Sequence, residues 1–240
     1  MLLHAFTLID EIATHGGIAE PMWTFGGGTV LMLRHGHRMS KGIDIFVPDP
    51  QYLGFVSPRL SDVAESVTQD YVEGPGYIKL LLPEGEIDFV ASPNLTSQAY
   101  EEWNLLGRSV KVETSAEIVA KKLYHRGDRA TARDLFDLAL VIEREPRALG
   151  QAAPFLSRHR HAFTAQIARP GRGLLAAFEA IQCRDYRPTY EHCRDLASAF
   201  LAGTPELPTV HGEMQSRALG GVAQLGYGSH DRRLGELEVS

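Results

Sequence analysis

The spacing of apolar residues changes character near residue 113. Up to that point the chain alternates short apolar runs with clusters of Gly and Pro, a mixture of strands and helices. Residues 1–15 predict an amphipathic first helix, ended by Gly16-Gly17. Residues 23–25 predict a short strand running into Gly26-Gly27-Gly28, followed by a helix over 29–35 that Gly36 stops. Strand 43–47 is closed by Pro48 and Pro50, and Leu60, Val63, Ala64 and Val67 predict a helix over 51–67. Strands are predicted at 68–73, 77–82, 86–91 and 108–112, with turns at Gly74-Pro75-Gly76 and Pro83-Glu84-Gly85. From 115 to about 203 the pattern is helical, broken at Gly127, Pro146, Pro170-Gly171 and Pro188. From about 204 the chain is rich in Gly, Ser and charge without a period. The expected plan is α+β: a mixed-sheet core over 1–112, a helical domain over 113–203 completing a cleft, and a loosely ordered tail over 204–240.

Composition narrows the class. The 240 residues are 44% hydrophobic and 22% charged, as in an ordinary globular protein. A net charge of −6 excludes the global basic field of a general nucleic-acid binder, leaving local basic patches at 35–41 and 121–133. Two cysteines, Cys183 and Cys193, cannot build a disulfide framework, so a reducing cytoplasm is expected and both are expected to fill the core. No apolar run is long enough for a bilayer, and Asp10 and Glu11 interrupt the first one before it could serve as a signal peptide. The histidine pairs His35/His37 and His159/His161 lack convincing zinc spacing and are expected on the surface.

Two strands carry acids where apolar residues are the rule. In Ile43-Asp44-Ile45-Phe46-Val47, Asp44 shares a face with Gly42 and Phe46; in strand 86–91, Glu86, Asp88 and Val90 share a face. If the strands are neighbours, Asp44 and Asp88 converge on an oxygen-rich site suited to Mg²⁺. Gly27-Gly28-Thr29 opens a helix whose uncovered N–H groups suit a phosphate. Thr114-Ser115-Ala116-Glu117 is a capping box that starts a helix near Ser115. On that helix Lys122 falls within the apolar arc of Ile118, Val119 and Leu123, whereas Lys121 points away. An inward lysine is served either by an anion or by snorkelling to water. Further on, Leu135, Leu138, Ala139 and Ile142 form a stripe. Asp134 sits at its edge as a candidate base or supporting acid, and Asp137 nearer solvent. Among Arg126, Arg129 and Arg133, Arg129 is the favoured phosphate contact, since its loop should face the sheet.

Four blocks together resemble the AbiEii/AbiGii nucleotidyltransferase toxin family: Phe25-Gly26-Gly27-Gly28-Thr29-Val30-Leu31; Arg38-Met39-Ser40-Lys41-Gly42-Ile43-Asp44-Ile45-Phe46; Glu86-Ile87-Asp88-Phe89; and Lys122-Leu123 through Arg129 to Arg133-Asp134-Leu135-Phe136-Asp137-Leu138. The resemblance covers roughly residues 20–140. It implies a core of the DNA polymerase β nucleotidyltransferase type, a mixed sheet flanked by helices. Beyond about residue 145 it supports only a helical character, and the helical pattern there is expected to form a C-terminal bundle. By the same resemblance Gly27, Gly28, Thr29 and Ser40 would hold a nucleoside triphosphate, with Lys122 and Arg129 on its phosphates. Asp44 and Asp88 would ligate Mg²⁺, and Asp134 would activate or position the acceptor. It further implies an NTP substrate, an RNA acceptor (a tRNA 3′ end) or a protein acceptor, and a cognate antitoxin, as in toxin–antitoxin or phage-defence systems. One departure stands out: the family's strand reads Asp-Ile-Asp, and here the first acid is Gly42. Glu86 or Asp49 is then the candidate to supply the missing oxygen; a binding-only relative, an attenuated form and an antitoxin-binding module are the other readings.

Overall fold

The computed structural model describes residues 1–204; the predicted tail lies outside the described residues. The chain opens with α1 (Leu2–His15), which buries Ala5, Phe6, Leu8, Ile9 and Ile12, the amphipathic face read from the sequence. Then follow β1 (Thr24–Gly26), α2 (Gly27–His35), β2 (Ile43–Val47), a 3-10 turn over Pro50–Val56 and α3 (Asp62–Val67). The single helix expected over 51–67 is thus two short pieces. The break falls at Ser57-Pro58, where proline removes a backbone donor and biases its predecessor away from helix; Ser57 is extended at ψ 124°.

Next come β3 (Tyr71–Gly74), β4 (Tyr77–Leu82), β5 (Gly85–Ala91), β6 (Tyr100–Leu105) and β7 (Arg108–Glu113). The seven strands of the described residues join one mixed sheet in the order β3-β4-β5-β2-β1-β7-β6. The pairs β2–β5 and β1–β7 are parallel, and the others antiparallel. An α+β architecture is therefore present as expected, with one strand more than the sequence indicated. β6 escaped because it is an edge strand whose residues Tyr100-Glu101-Glu102-Trp103-Asn104-Leu105 show no apolar alternation.

Helices make up the rest: α4 (Ser115–Arg126), α5 (Ala132–Arg144), α6 (Pro146–Gln151), α7 (Ala153–Leu156), α8 (Arg160–Ala168), α9 (Arg172–Glu179) and α10 (Tyr190–Ala202). Thr114 caps α4 by accepting from the Glu117 N–H, as the capping signal requires. The Glu117 carboxylate does not complete the box; it accepts from Leu95 N–H, Thr96 N–H and the Thr96 hydroxyl, tying down the loop before β6. The reciprocal box belongs to α5, between Thr131 and Asp134.

One hydrophobic core runs through sheet and helices, from Ala5 to Leu201. α5 lies deep within it, with residues 134–142 all buried. Phe136 stacks edge-on against Tyr186 at 5.3 Å and packs obliquely on Phe178 at 5.8 Å. Cys193 is buried and Cys183 half-buried against the core, both as free thiols. We expect Phe136→Ala to cost about 3–5 kcal/mol of folding free energy, read as a lower urea midpoint; a loss below 1 kcal/mol would show that this helix does not anchor the core.

Candidate active site

The parallel pairing of β2 with β5 sets Asp44 opposite Asp88, one pair in an unbroken register from Ile43–Ile87 to Val47–Ala91. Alternation turns both carboxylates to the same face while Ile43, Ile45, Ile87 and Phe89 go into the core. The convergence expected from the sequence is met.

β1 lies antiparallel to β2 and places Gly26 beside Asp44. The chain then turns directly into α2 through Gly27, whose φ of +71° lies in the left-handed region. A β-carbon at Gly27 would fall 2.0 Å from Asp44 Oδ2, and one at Gly26 2.1 Å from Glu113 Oε2. Glycine is required at both positions for a positional reason: the turn must lie against two carboxylates. The first N–H groups of α2 remain outside the helical hydrogen-bond pattern at that point. Thr29 fixes the far side of the turn by bonding the Ser40 hydroxyl at 3.0 Å and the Gly42 carbonyl.

Burial, the Asp88 charge, and then the opposing pull of Lys122, Arg126 and Lys79 set the Asp44 carboxyl, which is pushed up to about 6. Burial likewise raises Asp88, against the pull of Lys79. Lys79 stands opposite Asp88 on β4; its ammonium reaches Glu86 Oε2 at 2.8 Å and Asp88 Oδ2 at 3.0 Å. No hydrogen bond or ion pair joins the Asp44 carboxylate to the described side chains. Among the described residues, no three His, Cys, Asp or Glu side chains are gathered closely enough to hold a metal ion.

The opposite wall comes from α4 and α5. Lys122 bridges Asp134 at 3.2 Å and Asp137, and Arg126 donates to Asp134 Oδ1 at 2.7 Å. Asp137 is wholly buried, not near solvent as the helical stripe predicted. Arg38 grips it through Nε and Nη2, both at 2.7 Å, and His37 Nε2 lies 2.9 Å from Oδ1. Burial lowers the His37 pKa, so its Nε2–H donates as a neutral imidazole. His37 and Arg38 are therefore neither surface residues nor part of a basic patch; they anchor the loop between α2 and β2 to α5. His35 also turns inward, to Ser115 and Glu145.

Lys121 corrects the helical-wheel reading. It points inward as Lys122 does, more deeply buried at 4% exposure, bonding Glu113 at 2.6 Å with its ammonium 4.2 Å from the Phe46 ring centre. The wheel assumed one buried face, whereas α4 is covered from Ser115 to Lys121 without a break. Glu113 also accepts from the Thr24 hydroxyl at 2.8 Å, and burial lifts its carboxyl to about 7. Lys121 thus braces Glu113 and Phe46 deep in the cleft wall, on the face of the sheet that carries Asp44, and Lys122 stands nearer the opening.

Asp134 was open as a base or as a supporting acid, and the geometry favours support. One oxygen holds Lys122 and Arg126, while the other accepts from the Thr131 N–H and hydroxyl, both at 2.9 Å. Despite its burial, Lys122 and Arg126 hold the carboxyl down at about 2, too acidic to take a proton near neutrality. Arg129 lies on the rim at 72% exposure, bonded to Asp128 and to the His125 carbonyl. Asp49 is absent from the cleft wall; it caps the 3-10 turn by accepting from the Gln51 N–H. Lys79, Arg38 and Asp137 were missed, although a lone lysine in Tyr77-Ile78-Lys79-Leu80-Leu81 is the same signal that singled out Asp44.

These walls enclose a cleft of about 1290 Å³, above the roughly 300–1,000 Å³ usual for a small-molecule pocket. A glycine turn opening a helix, two in-register carboxylates and a facing row of cations make the layout of a nucleotidyltransferase. The family model for the nucleotidyl transferase AbiEii toxin of type IV toxin–antitoxin systems matches residues 17–210. The chain belongs to that AbiEii family. No curated protein matches it. Among solved structures it is similar to a candidate nucleotidyltransferase from H. pylori, at 14% identity over 84% of this chain and 92% of that one, with a TM-score of 0.42. It is also similar to JHP933 from Helicobacter pylori, at 16% identity over 91% and 96%, with a TM-score of 0.40.

The depressed Asp134 carboxyl makes the cation wall acid-sensitive. Its contribution is full above the unfolded value near 4 and is lost as pH falls toward 2, a swing of about 2 kcal/mol. Asp134→Asn should lower the urea midpoint at neutral pH and remove that share of the decline between about pH 4 and pH 2; an unchanged acid profile would contradict the assignment.

Proposed function

We propose that this chain transfers a nucleoside monophosphate from an NTP to the hydroxyl of an RNA acceptor, a tRNA 3′ end, or of a protein. Membership in a type IV toxin–antitoxin family implies an NTP substrate and an antitoxin partner; the acceptor and the metal belong to this proposal. No helix among the described residues is long and apolar enough to cross a membrane, and a cytoplasmic setting is part of the same reading.

The carrying observation is the placement of Asp44 and Asp88 in register against the Gly27–Gly28 turn, with Lys122 and Arg126 opposite. The donor set fits a hard divalent cation: all the ligand atoms are carboxylate oxygens, and the Lys79 ammonium already bridges two of the acids as a stand-in cation. Asp44 and Asp88 would hold Mg²⁺, which when bound neutralises phosphate charge and stabilises the transferring phosphoryl group. The backbone N–H groups at Gly27 and Gly28 receive phosphate oxygens, and Thr29 and Ser40 keep that turn in shape. Lys122 and Arg126 contribute positive charge in a partly desolvated cleft, where it acts strongly on a triphosphate. Asp134 and Asp137 position those cations, and Arg129 on the rim meets phosphates of substrate or acceptor. Cleft space beyond one nucleotide leaves room for the acceptor hydroxyl in line with the α-phosphate.

Gly42 supports a second reading, a nucleotide- or RNA-binding relative with reduced or no turnover, because it removes a carboxylate from the strand that carries Asp44. Labelled NTPs offered with Mg²⁺ and total tRNA separate the two. We expect labelled RNA from this chain, more from Gly42→Asp, and a loss on the order of 100-fold or more in Asp44→Ala. Transfer by Gly42→Asp alone would favour the binding-only reading of this chain. Transfer unaffected by Asp44→Ala would refute the site.

A further inference from the structure

Gly42 stands one step before the Ile43–Ile87 pair, level with Glu86 on the neighbouring strand. The face that carries Asp44 and Asp88 therefore continues to Gly42 on one strand and Glu86 on the other. A β-carbon at residue 42 would meet Glu86 Cγ at 3.5 Å and Oε1 at 3.7 Å, ordinary contact distances. The Glu86 side chain thus runs along the space that a side chain on residue 42 would enter. Its other carboxylate oxygen is engaged by Lys79, whose ammonium also holds Asp88.

We infer that Glu86 is the third carboxylate of the metal site, acting for the acid missing at residue 42, and that Lys79 competes with the metal for Glu86 and Asp88. In this structure Lys79 holds those two acids, so the three carboxylates gather on a metal only once it is displaced. The inference rests on the nucleotidyltransferase reading above. A divalent cation gains twice the attraction of an ammonium from each carboxylate it meets, and it draws on Asp44 as well. Lysine is suited to be displaced, because its charge rides on a flexible four-carbon stem. The competing carboxylate, Asp49, is committed to the Gln51 N–H. Gly42 then does not remove the site's third acid; it leaves space beside a longer acid on the adjacent strand.

The test is Mn²⁺ binding by the full chain, followed by electron paramagnetic resonance of free Mn²⁺, with the melting temperature of each variant recorded by circular dichroism. We expect Glu86→Gln to weaken Mn²⁺ binding at least about tenfold. Lys79→Met should tighten it several-fold, and Gly42→Asp should recover the affinity lost in Glu86→Gln. If Asp44→Asn abolishes binding while Glu86→Gln and Lys79→Met leave it unchanged, Lys79 and Glu86 form a plain cross-strand ion pair. That outcome overturns the inference and leaves the nucleotidyltransferase reading standing. Absence of Mn²⁺ binding from this chain, or binding indifferent to Asp44→Asn, overturns both.

Discussion

Asp44 brings a carboxylate to a place where the chain only partly compensates its charge. Burial and Asp88 both oppose ionisation, and its pKa rises although three cations lie near enough to pull it back. Its neighbours are arranged around that cost. Gly27 adopts a left-handed conformation because no side chain fits between the turn and the carboxylate. β5 runs parallel to β2 in a register that adds a second acid, and Lys79 crosses from β4 to hold that acid and Glu86. An oxygen-lined concentration of negative charge suits a divalent cation, and the helix N–H groups beside it suit a phosphate.

The opposite wall shows the same economy with the signs exchanged. Asp137 is buried without exposure and carries Arg38, Lys122 and the neutral His37 on two oxygens. Those partners hold its carboxyl well below the ordinary range against the effect of burial. Removing one member of such a group leaves an unpaired buried charge, which costs about 3–5 kcal/mol. The network also sets geometry. Arg38 belongs to the loop that leads into β2, Lys122 to α4, and Asp137 to α5, so one carboxylate fixes the spacing of three elements that wall the cleft. The segment 36–39 is held from its other side by main-chain bonds to 182–185, just past α9.

Much of this was legible in the chain. β2 was readable because a single acid among Ile43, Ile45 and Val47 declares both the alternation and the exception. Strand 86–91 repeats the pattern, and the two exceptions do meet. The edge strand β6 was not readable, since its solvent-facing residues need no alternation. Lys121 and Asp137 were misplaced for one reason. A helical wheel supposes one wet face, and α4 and α5 are buried nearly all round, so charges on them point into protein and find partners there. The role of Asp134 could not be read from its position on a stripe; it depends on Thr131, Lys122 and Arg126 meeting at one carboxylate.

The most direct measurement is a crystal structure of the chain with Mg²⁺ and a non-hydrolysable α,β-methylene NTP. The predicted result is a metal ion held between Asp44 and Asp88, phosphate oxygens at the Gly27–Gly28 N–H groups, and Lys122 and Arg126 facing the triphosphate. A triphosphate bound elsewhere, or bound with no metal at Asp44, would contradict it.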